Sequence, residues 1–194
     1  MTRKPTRASS FFHCTLALVM AWLVVAAPFL RAQKSGPTAN EVKSAYLYNF
    51  GKFVEWPSKA AIAGEFFTIC ALGDDTFGST LETTITGESI HGKKVLVKRV
   101  AKPQDAVSCR ILFISSSQQS RLKEILAELD NTSVLTVSDM PEFTRRGGMI
   151  QFVVEANRVR FEVNLTSAER SGLTLSSQLL KVAINVKRSP QPGG

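Results

Sequence analysis

Residues 147–165 read GGMIQFVVEANRVRFEVNL and predict two strands joined by a short turn. Apolar and polar side chains alternate through residues 158–165, which is the pattern of a strand with one buried and one exposed face. Residues 150–154 are almost continuously apolar, as in a strand that is covered on both faces. The predicted turn is Ala156-Asn157, because Asn tolerates a positive φ. A hairpin alone is only marginally stable in water, so we expect other elements to cover these strands.

The rest of the chain shows alternating strand and helix patterns. Strands are predicted at 66–72, 93–100, 109–115 and 134–137, and the longer helices at 40–53, 75–85 and 116–129. The predicted caps of these helices are Asn40, Asp75 and either Ser116 or Ser117. Short helices follow the hairpin, one begun by a capping box of Thr166 and Glu169 and one begun by Ser176 or Ser177. This order predicts an α/β single-domain sandwich whose mixed, partly parallel β-sheet is flanked by helices and closed at one end by the C-terminal hairpin.

The helix predicted at 40–53 is rich in aromatic residues. Its expected buried stripe consists of Val42, Ala45, Tyr46, Asn49 and Phe53. Tyr48 and Phe50 lie off this stripe, and Trp56 follows the helix. One helix face cannot hide all of these rings. Two interpretations therefore stay open: some of the rings contact a partner, or all of them pack in the core or under a loop.

The first 32 residues have the features of a secretory signal peptide. A basic start precedes an apolar run at 11–30, and the small residue Ala32 marks the expected cleavage site. An uncleaved transmembrane anchor is the alternative, because this run is long enough to span a bilayer. The predicted organisation is a signal peptide at 1–32, a polar lead-in at 33–39, one domain at 40–187 and a disordered tail at 188–194. We expect the mature protein to be exported and soluble.

The charge of the exported chain is only mildly positive. Removing Arg3, Lys4, Arg7 and Arg31 with the signal peptide lowers the formal net charge from +8 to +4. The basic residues between positions 93 and 102 alternate with apolar ones, as on the solvated face of a strand. We therefore expect no nucleic-acid partner.

Two cysteines, Cys70 and Cys109, remain after the signal peptide. In an oxidising compartment an isolated pair is most simply a disulfide, and two buried free thiols are the alternative. With His91 as the only remaining histidine, these residues fall short of the four ligands of a zinc site. No metal or other cofactor is predicted.

The exported chain contains no catalytic motif. Residues 87–92, GESIHG, resemble a nucleophile elbow but are one residue too long and precede a strand, so they predict a turn. Asp74 and Asp139 follow predicted strands, where α/β folds bind ligands, and with Arg145 they form a candidate ligand site. Equally, Asp139 is a turn residue and Asp75 beside this site a helix cap. We do not expect an enzyme.

Several segments together resemble the YfiR-like family of exported bacterial proteins. They are NEVKSAYLYNFGKFVEWP (40–57), FTICALGDD (67–75), CRILFIS (109–115), VLTVSDMPEF (134–143) and GGMIQFVVEANRVRFEVNLTSAERSGLTLSSQLLKVA (147–183). The resemblance implies a periplasmic α/β domain, often dimeric, that has no enzymatic activity. It also implies that Cys70 and Cys109 form a structural cystine. A further cysteine pair that better-known members carry in the region of residues 139–152 is missing here.

The resemblance also implies a function. The named member of the family binds the periplasmic domain of a membrane-bound diguanylate cyclase and holds it inactive. A protein of this kind lowers cyclic di-GMP without touching the nucleotide. The predicted partner-binding residues are apolar and mainly aromatic, because such side chains are favoured in interface cores: Tyr48, Phe50, Trp56, Leu173 and Leu175. Homodimerisation through the same surface is the nearest alternative.

A second class of function remains open. A small-ligand sensor or binding module for a membrane receptor or histidine kinase would use the strand-end site of Asp74, Asp139 and Arg145.

Overall fold

The computed structural model describes residues 36–58 and 64–188. The predicted signal peptide and residues 189–194 of the predicted tail lie outside the described residues. From Pro37 onward the chain forms one compact unit.

An eight-stranded mixed sheet forms the centre of the described part of the chain. In spatial order its strands are β10 (Asn185–Lys187), β8 (Arg158–Asn164), β7 (Ile150–Glu155), β6 (Leu135–Ser138), β5 (Ile111–Ile114), β2 (Phe67–Leu72), β4 (Lys93–Val100) and β3 (Ser89–Ile90). The β7–β8 and β3–β4 pairs are antiparallel, and the other neighbours are parallel. The strands β1 (Val54–Glu55) and β9 (Thr174–Leu175) form a separate antiparallel pair. The predicted mixed, partly parallel sheet is confirmed.

Helices cover both faces of this sheet. They are α1 (Ala39–Phe53), α2 (Thr80–Ile85), α3 (Leu122–Glu128), α4 (Leu165–Arg170) and α5 (Ser177–Val182), with 3₁₀ turns at Pro103–Ser108 and Ser116–Arg121. Alternate residues of a strand point to opposite faces. In β5, Ile111 and Phe113 join the apolar cluster beneath α1, whereas Leu112 and Ile114 join the cluster beneath α3. We call these clusters the α1 core and the α3 core, and together they confirm the predicted sandwich.

The predicted hairpin is confirmed as β7 and β8. Phe152 pairs with Phe161 across the two strands. At the turn, Ala156 and Asn157 have φ values of 46° and 60°, as a two-residue type I′ turn requires. One detail of the prediction is wrong: the hairpin does not close the sheet, because β10 pairs with the outer edge of β8.

The buried face of α1 differs from the predicted stripe by about one position. Its buried residues are Lys43, Ser44, Leu47, Phe50 and Gly51, whereas the predicted Tyr46 and Phe53 are partly or well exposed. The prediction counted apolar side chains, but α1 approaches the sheet through small residues. A Cβ on Gly51 would lie only 2.5 Å from the Cδ1 atom of Ile90. The close approach of the helix backbone decides which face is buried.

The predicted cap of α1 is also wrong. Thr38 caps the helix instead of Asn40, in a capping box in which each of Thr38 and Glu41 accepts a hydrogen bond from the other's backbone N–H. The Thr38 backbone N–H and hydroxyl both donate to the Glu41 carboxylate, and these two hydrogen bonds lower the pKa of Glu41 below its ordinary value. Asn40 lies inside α1, and its side chain donates to the carbonyl oxygen of Thr76 at 2.7 Å.

Of the helix caps predicted before α3, α4 and α5, only the cap of α5 is correct. Asn164, not Thr166, caps α4 by accepting a hydrogen bond from the Ser167 backbone N–H at 3.1 Å. Ser115 caps the 3₁₀ turn before α3, one residue earlier than predicted. Ser176 caps α5, as predicted. In each incorrect case a neighbouring polar side chain took the role.

The predicted disulfide between Cys70 and Cys109 is present, with the two Cα atoms 6.0 Å apart. Both cysteines are buried in the α3 core, with 0% and 2% of their surface exposed. The bond connects β2 to the residue two positions before its parallel neighbour β5.

Candidate functional site

An apolar groove of about 280 Å³ lies between α1, β8 and α5. Its lining residues are Tyr46, Asn49, Phe50, Phe53, Phe161, Gln178, Leu179 and Val182. The buried rings of Phe50 and Phe161 meet edge to face with centroids 5.1 Å apart, and Tyr46 meets Phe161 in the same way at 5.3 Å. None of the lining side chains is charged at neutral pH. The groove is therefore suited to an apolar side chain of a partner.

Exposed apolar side chains lie at this groove and in the chain segment that follows it. Phe53 and Val182, at the ends of α1 and α5, are 36% and 59% exposed. Ile184 and Val186, which follow along the chain into β10, are 39% and 37% exposed. We call these four residues the apolar rim. Exposed apolar patches of this kind mark interaction sites on soluble proteins.

Three of the five predicted partner-binding residues are buried, and the partner-binding role of all five stays a prediction. Phe50, Leu173 and Leu175 are only 2%, 1% and 6% exposed and belong to the α1 core. They are buried because Phe50 points to the sheet from α1, while the Leu173–Leu175 segment pairs through β9 with β1. Tyr48 and Trp56 are partly exposed. The sequence pattern missed Phe53, since it assigned this residue to the buried stripe of the helix.

Tyr48 stands apart from the groove. Its hydroxyl donates a hydrogen bond to Glu88 Oε2 at 2.5 Å, and the Lys52 ammonium lies 4.3 Å from the centre of its ring. These contacts hold the ring against the β3 end of the sheet. Tyr48 and the apolar rim accordingly do not form one continuous apolar surface.

Trp56 lines a second cavity, of about 340 Å³. Its ring packs edge-on against Phe67 with centroids 5.3 Å apart. Glu55, His91, Lys93 and Arg110 contribute polar groups to the same cavity, and burial lowers the pKa of Arg110. His91 has a φ of 49° and lies in the turn between β3 and β4, so the prediction of a turn at GESIHG is confirmed.

The residues of the predicted strand-end ligand site do not meet. Asp139 follows β6 and forms an ion pair with Lys43 of α1, with Nζ and Oδ2 2.6 Å apart. The backbone N–H of Asp74 donates to Ser117 Oγ at 3.0 Å, and the side chain of Asp74 is exposed. Arg145 pairs with Glu142 at 3.0 Å and lines a different cavity beside β8 and β10. Any ligand-binding role of these three residues stays a prediction.

Asp75 has a structural role that differs from the predicted one. Its Oδ1 atom accepts hydrogen bonds from the backbone N–H groups of Phe77 and Gly78, so it orders the loop that precedes α2. Arg99 of β4 contacts both Asp75 and Glu82. Burial acts to lower the pKa of Arg99, but the hydrogen bonds to Glu82 and Asp75 outweigh it, and the pKa is raised.

Within residues 36–58 and 64–188, no cluster of three or more His, Cys, Asp or Glu side chains is arranged to hold a metal ion. The helices of this same part of the chain are all too short or too polar to cross a bilayer.

A family model described as YfiR/HmsC-like (DUF4154) matches residues 40–184, which is most of the chain. The chain belongs to the YfiR/HmsC-like family. The match confirms the resemblance noted in the sequence. Members of the YfiR/HmsC-like family are periplasmic regulators of diguanylate cyclase signalling and are not known as enzymes.

Two solved structures are similar to this YfiR/HmsC-like chain at low sequence identity. One is a conserved domain protein from Vibrio cholerae O1 biovar El Tor, with a TM-score of 0.55, 11% identity, and coverage of 74% of this chain and 60% of that protein. The other is an ABC domain from Streptococcus pneumonia in complex with L-Trp, with a TM-score of 0.44, 14% identity, and coverage of 62% and 55%. The first shares the fold, and this chain spans 60% of its length.

Proposed function

We propose that this protein is a non-enzymatic periplasmic regulator that binds the periplasmic domain of a membrane diguanylate cyclase and restrains it. In this proposal the chain is exported, the signal peptide is cleaved after about Ala32, and binding lowers cyclic di-GMP. Membership of the YfiR/HmsC-like family supports the class of partner.

The observation that carries the proposal is the uncharged groove with its exposed apolar rim. Val182 and Phe53 present exposed apolar surface at helix ends, and surface of this kind marks interaction sites. A partner side chain inserted between α1 and α5 would contact the buried rings of Phe50 and Phe161. Apolar anchors in such pockets dominate the affinity of protein interfaces.

To restrain a cyclase, the protein must bind the inactive state of the cyclase more tightly than the active state. A protein that binds the inactive and active states of a cyclase equally well shifts nothing, however tightly it binds. The proposed partner segment must therefore be exposed to the groove only when the cyclase is inactive. Tyr48 and Trp56 are proposed as secondary contacts, and a homodimer would present two such grooves.

The test compares two matched substitutions in cells that carry the cyclase. Val182→Lys places a charge on the rim, and Val107→Lys places the same charge on an equally exposed valine, 57% against 59%, in the 3₁₀ turn beneath the opposite face of the sheet. We expect Val182→Lys to abolish co-purification of the cyclase and to raise cyclic di-GMP, and Val107→Lys to change neither. Equal thermal melts would show that both variants remain folded. Retained co-purification by Val182→Lys and by Phe53→Gln would remove the groove from the interface.

A further inference from the structure

We propose that a small polar cavity on the sheet face opposite α1 binds a small zwitterion, a free amino acid with a short side chain. The cavity has a volume of about 140 Å³ and is lined by Glu142, Thr144, Arg145, Gln151, Glu162, Val163, Asn185 and Lys187. This proposal does not depend on the apolar groove, because the cavity and the groove lie on different faces of the sheet.

The floor of the cavity is a row of polar side chains that crosses three strands. Gln151 of β7, Glu162 of β8 and Asn185 of β10 are direct neighbours in the strand register. In β7 and β8 the adjacent residues Phe152 and Phe161 belong to the α1 core, so Gln151 and Glu162 point to the other face. Polar residues in the middle of a sheet need partners, and here they face a common cavity.

Hydrogen bonds from the buried Thr144 hold Gln151 and Glu162 in place. Gln151 is 8% exposed, and its Oε1 atom accepts a hydrogen bond from the Thr144 backbone N–H at 3.3 Å. The hydroxyl of Thr144, a residue that is 4% exposed, donates to Glu162 Oε2 at 3.4 Å. Asn164 fixes the same loop by donating from Nδ2 to the Thr144 carbonyl oxygen at 2.9 Å. The Glu162 carboxylate is therefore positioned before any ligand arrives.

Two opposite charges that line the cavity, Glu162 and Lys187, suit a zwitterion. Across residues 36–58 and 64–188, neither Glu162 nor Lys187 takes part in an ion pair, although both line this cavity. Arg145, at the mouth of the cavity, already pairs with the exposed Glu142. A ligand ammonium would pair with Glu162, and its carboxylate would pair with Lys187. A simple anion or cation would leave one of these charges without a partner.

The volume limits the size of the ligand. Since a water molecule occupies about 30 Å³ of liquid, the cavity holds roughly four or five waters, which matches a ligand of about five to seven non-hydrogen atoms. Glycine, alanine and serine fall in this range.

The test measures thermal stability and calorimetric binding of the exported protein with glycine, L-alanine and L-serine, and with acetate and methylammonium as half-ligands. We expect the amino acids at saturation to raise the melting temperature by about 2–8 °C, and the half-ligands to have little effect. Glu162→Gln and Lys187→Gln should each weaken binding by about tenfold or more, because each removes one charge-assisted hydrogen bond. The matched controls Glu155→Gln and Lys181→Gln change exposed charges that do not line the cavity and should bind as the original protein does.

Three results would overturn the proposal: no shift with any of the three amino acids, an equal shift with acetate alone, or unchanged binding in both charge variants. If Glu162→Gln does not fold, Lys187→Gln carries the test, because Lys187 is exposed on the edge strand.

Discussion

The Nζ atom of Lys43 donates to Asp139 Oδ2 across 2.6 Å and so joins α1 to the residue that follows β6. The two side chains are only 10% and 23% exposed. This ion pair therefore lies in a partly dry environment at the carboxyl end of the parallel strands. It fixes the position of α1, which supplies one wall of the groove.

Breaking one half of this pair should be costly. Asp139→Ala leaves the Lys43 ammonium buried and unpaired, and we expect the free energy of unfolding to fall by about 1–3 kcal/mol. The double variant Lys43→Met/Asp139→Ala should lose less than the sum of the two single losses. Urea unfolding of the four proteins measures the coupling. Losses that add to within about 0.3 kcal/mol would show that the pair contributes nothing as a pair.

The disulfide should be a major source of stability. Cys70 and Cys109 are separated by 39 residues, and closing a loop of this length in the unfolded chain corresponds to about 4 kcal/mol. Because both cysteines are buried, we expect the bond to resist mild reductant until the protein unfolds. Mass spectrometry after alkylation, with and without denaturant, measures this. Rapid alkylation of the folded protein would contradict the expected protection.

Gly148 lies flat against the ring of Phe143, and a Cβ at this position would overlap the ring. Gly148→Ala should therefore lower the free energy of unfolding by about 1–3 kcal/mol, as expected for overpacking. Gly36→Ala is the control, since no heavy atom lies within 4 Å of a Cβ there. Partial recovery in Gly148→Ala/Phe143→Leu, measured by denaturant unfolding, would identify the ring as the cause. Equal stability of the two alanine variants would rule out a clash.

A double substitution in the hairpin turn should stabilise the protein. Ala156 has a φ of 46°, a left-handed conformation that is strained for residues with a Cβ, whereas Asn-Gly is the preferred type I′ sequence. Ala156→Asn/Asn157→Gly should raise the free energy of unfolding by about 1 kcal/mol. Asn157→Ala alone should lower it. Melting temperatures of the three proteins test the prediction, and an unchanged value for the double variant would count against strain in the turn.

Patterns that depend on neighbouring residues along the chain were predictable. Strict alternation in residues 158–164 determined the hairpin and its turn at Ala156-Asn157. The cystine followed from having only two cysteines downstream of the signal peptide. The two- and three-residue strands β1, β3, β9 and β10 were not predicted, because so few residues carry no periodic signal.

Features that depend on close packing were not predictable. The buried face of α1 includes Lys43, Ser44 and Gly51, which no count of apolar side chains selects. The groove was missed for the same reason, since Phe53 was expected to be buried. One signal for the polar cavity was present in the sequence: Gln151 interrupts the apolar run from Ile150 to Val154.

The buried and the exposed residues of α1 are constrained by different requirements. Leu47 and Gly51 must fit the sheet, so changes there disturb folding itself. Phe53, at the last position of the same helix, is 36% exposed, so we expect its replacement to disturb that fit less. Under the proposed function, substitutions at this helix end and in the neighbouring α5 would change which molecule is recognised while the rest of the fold stays the same.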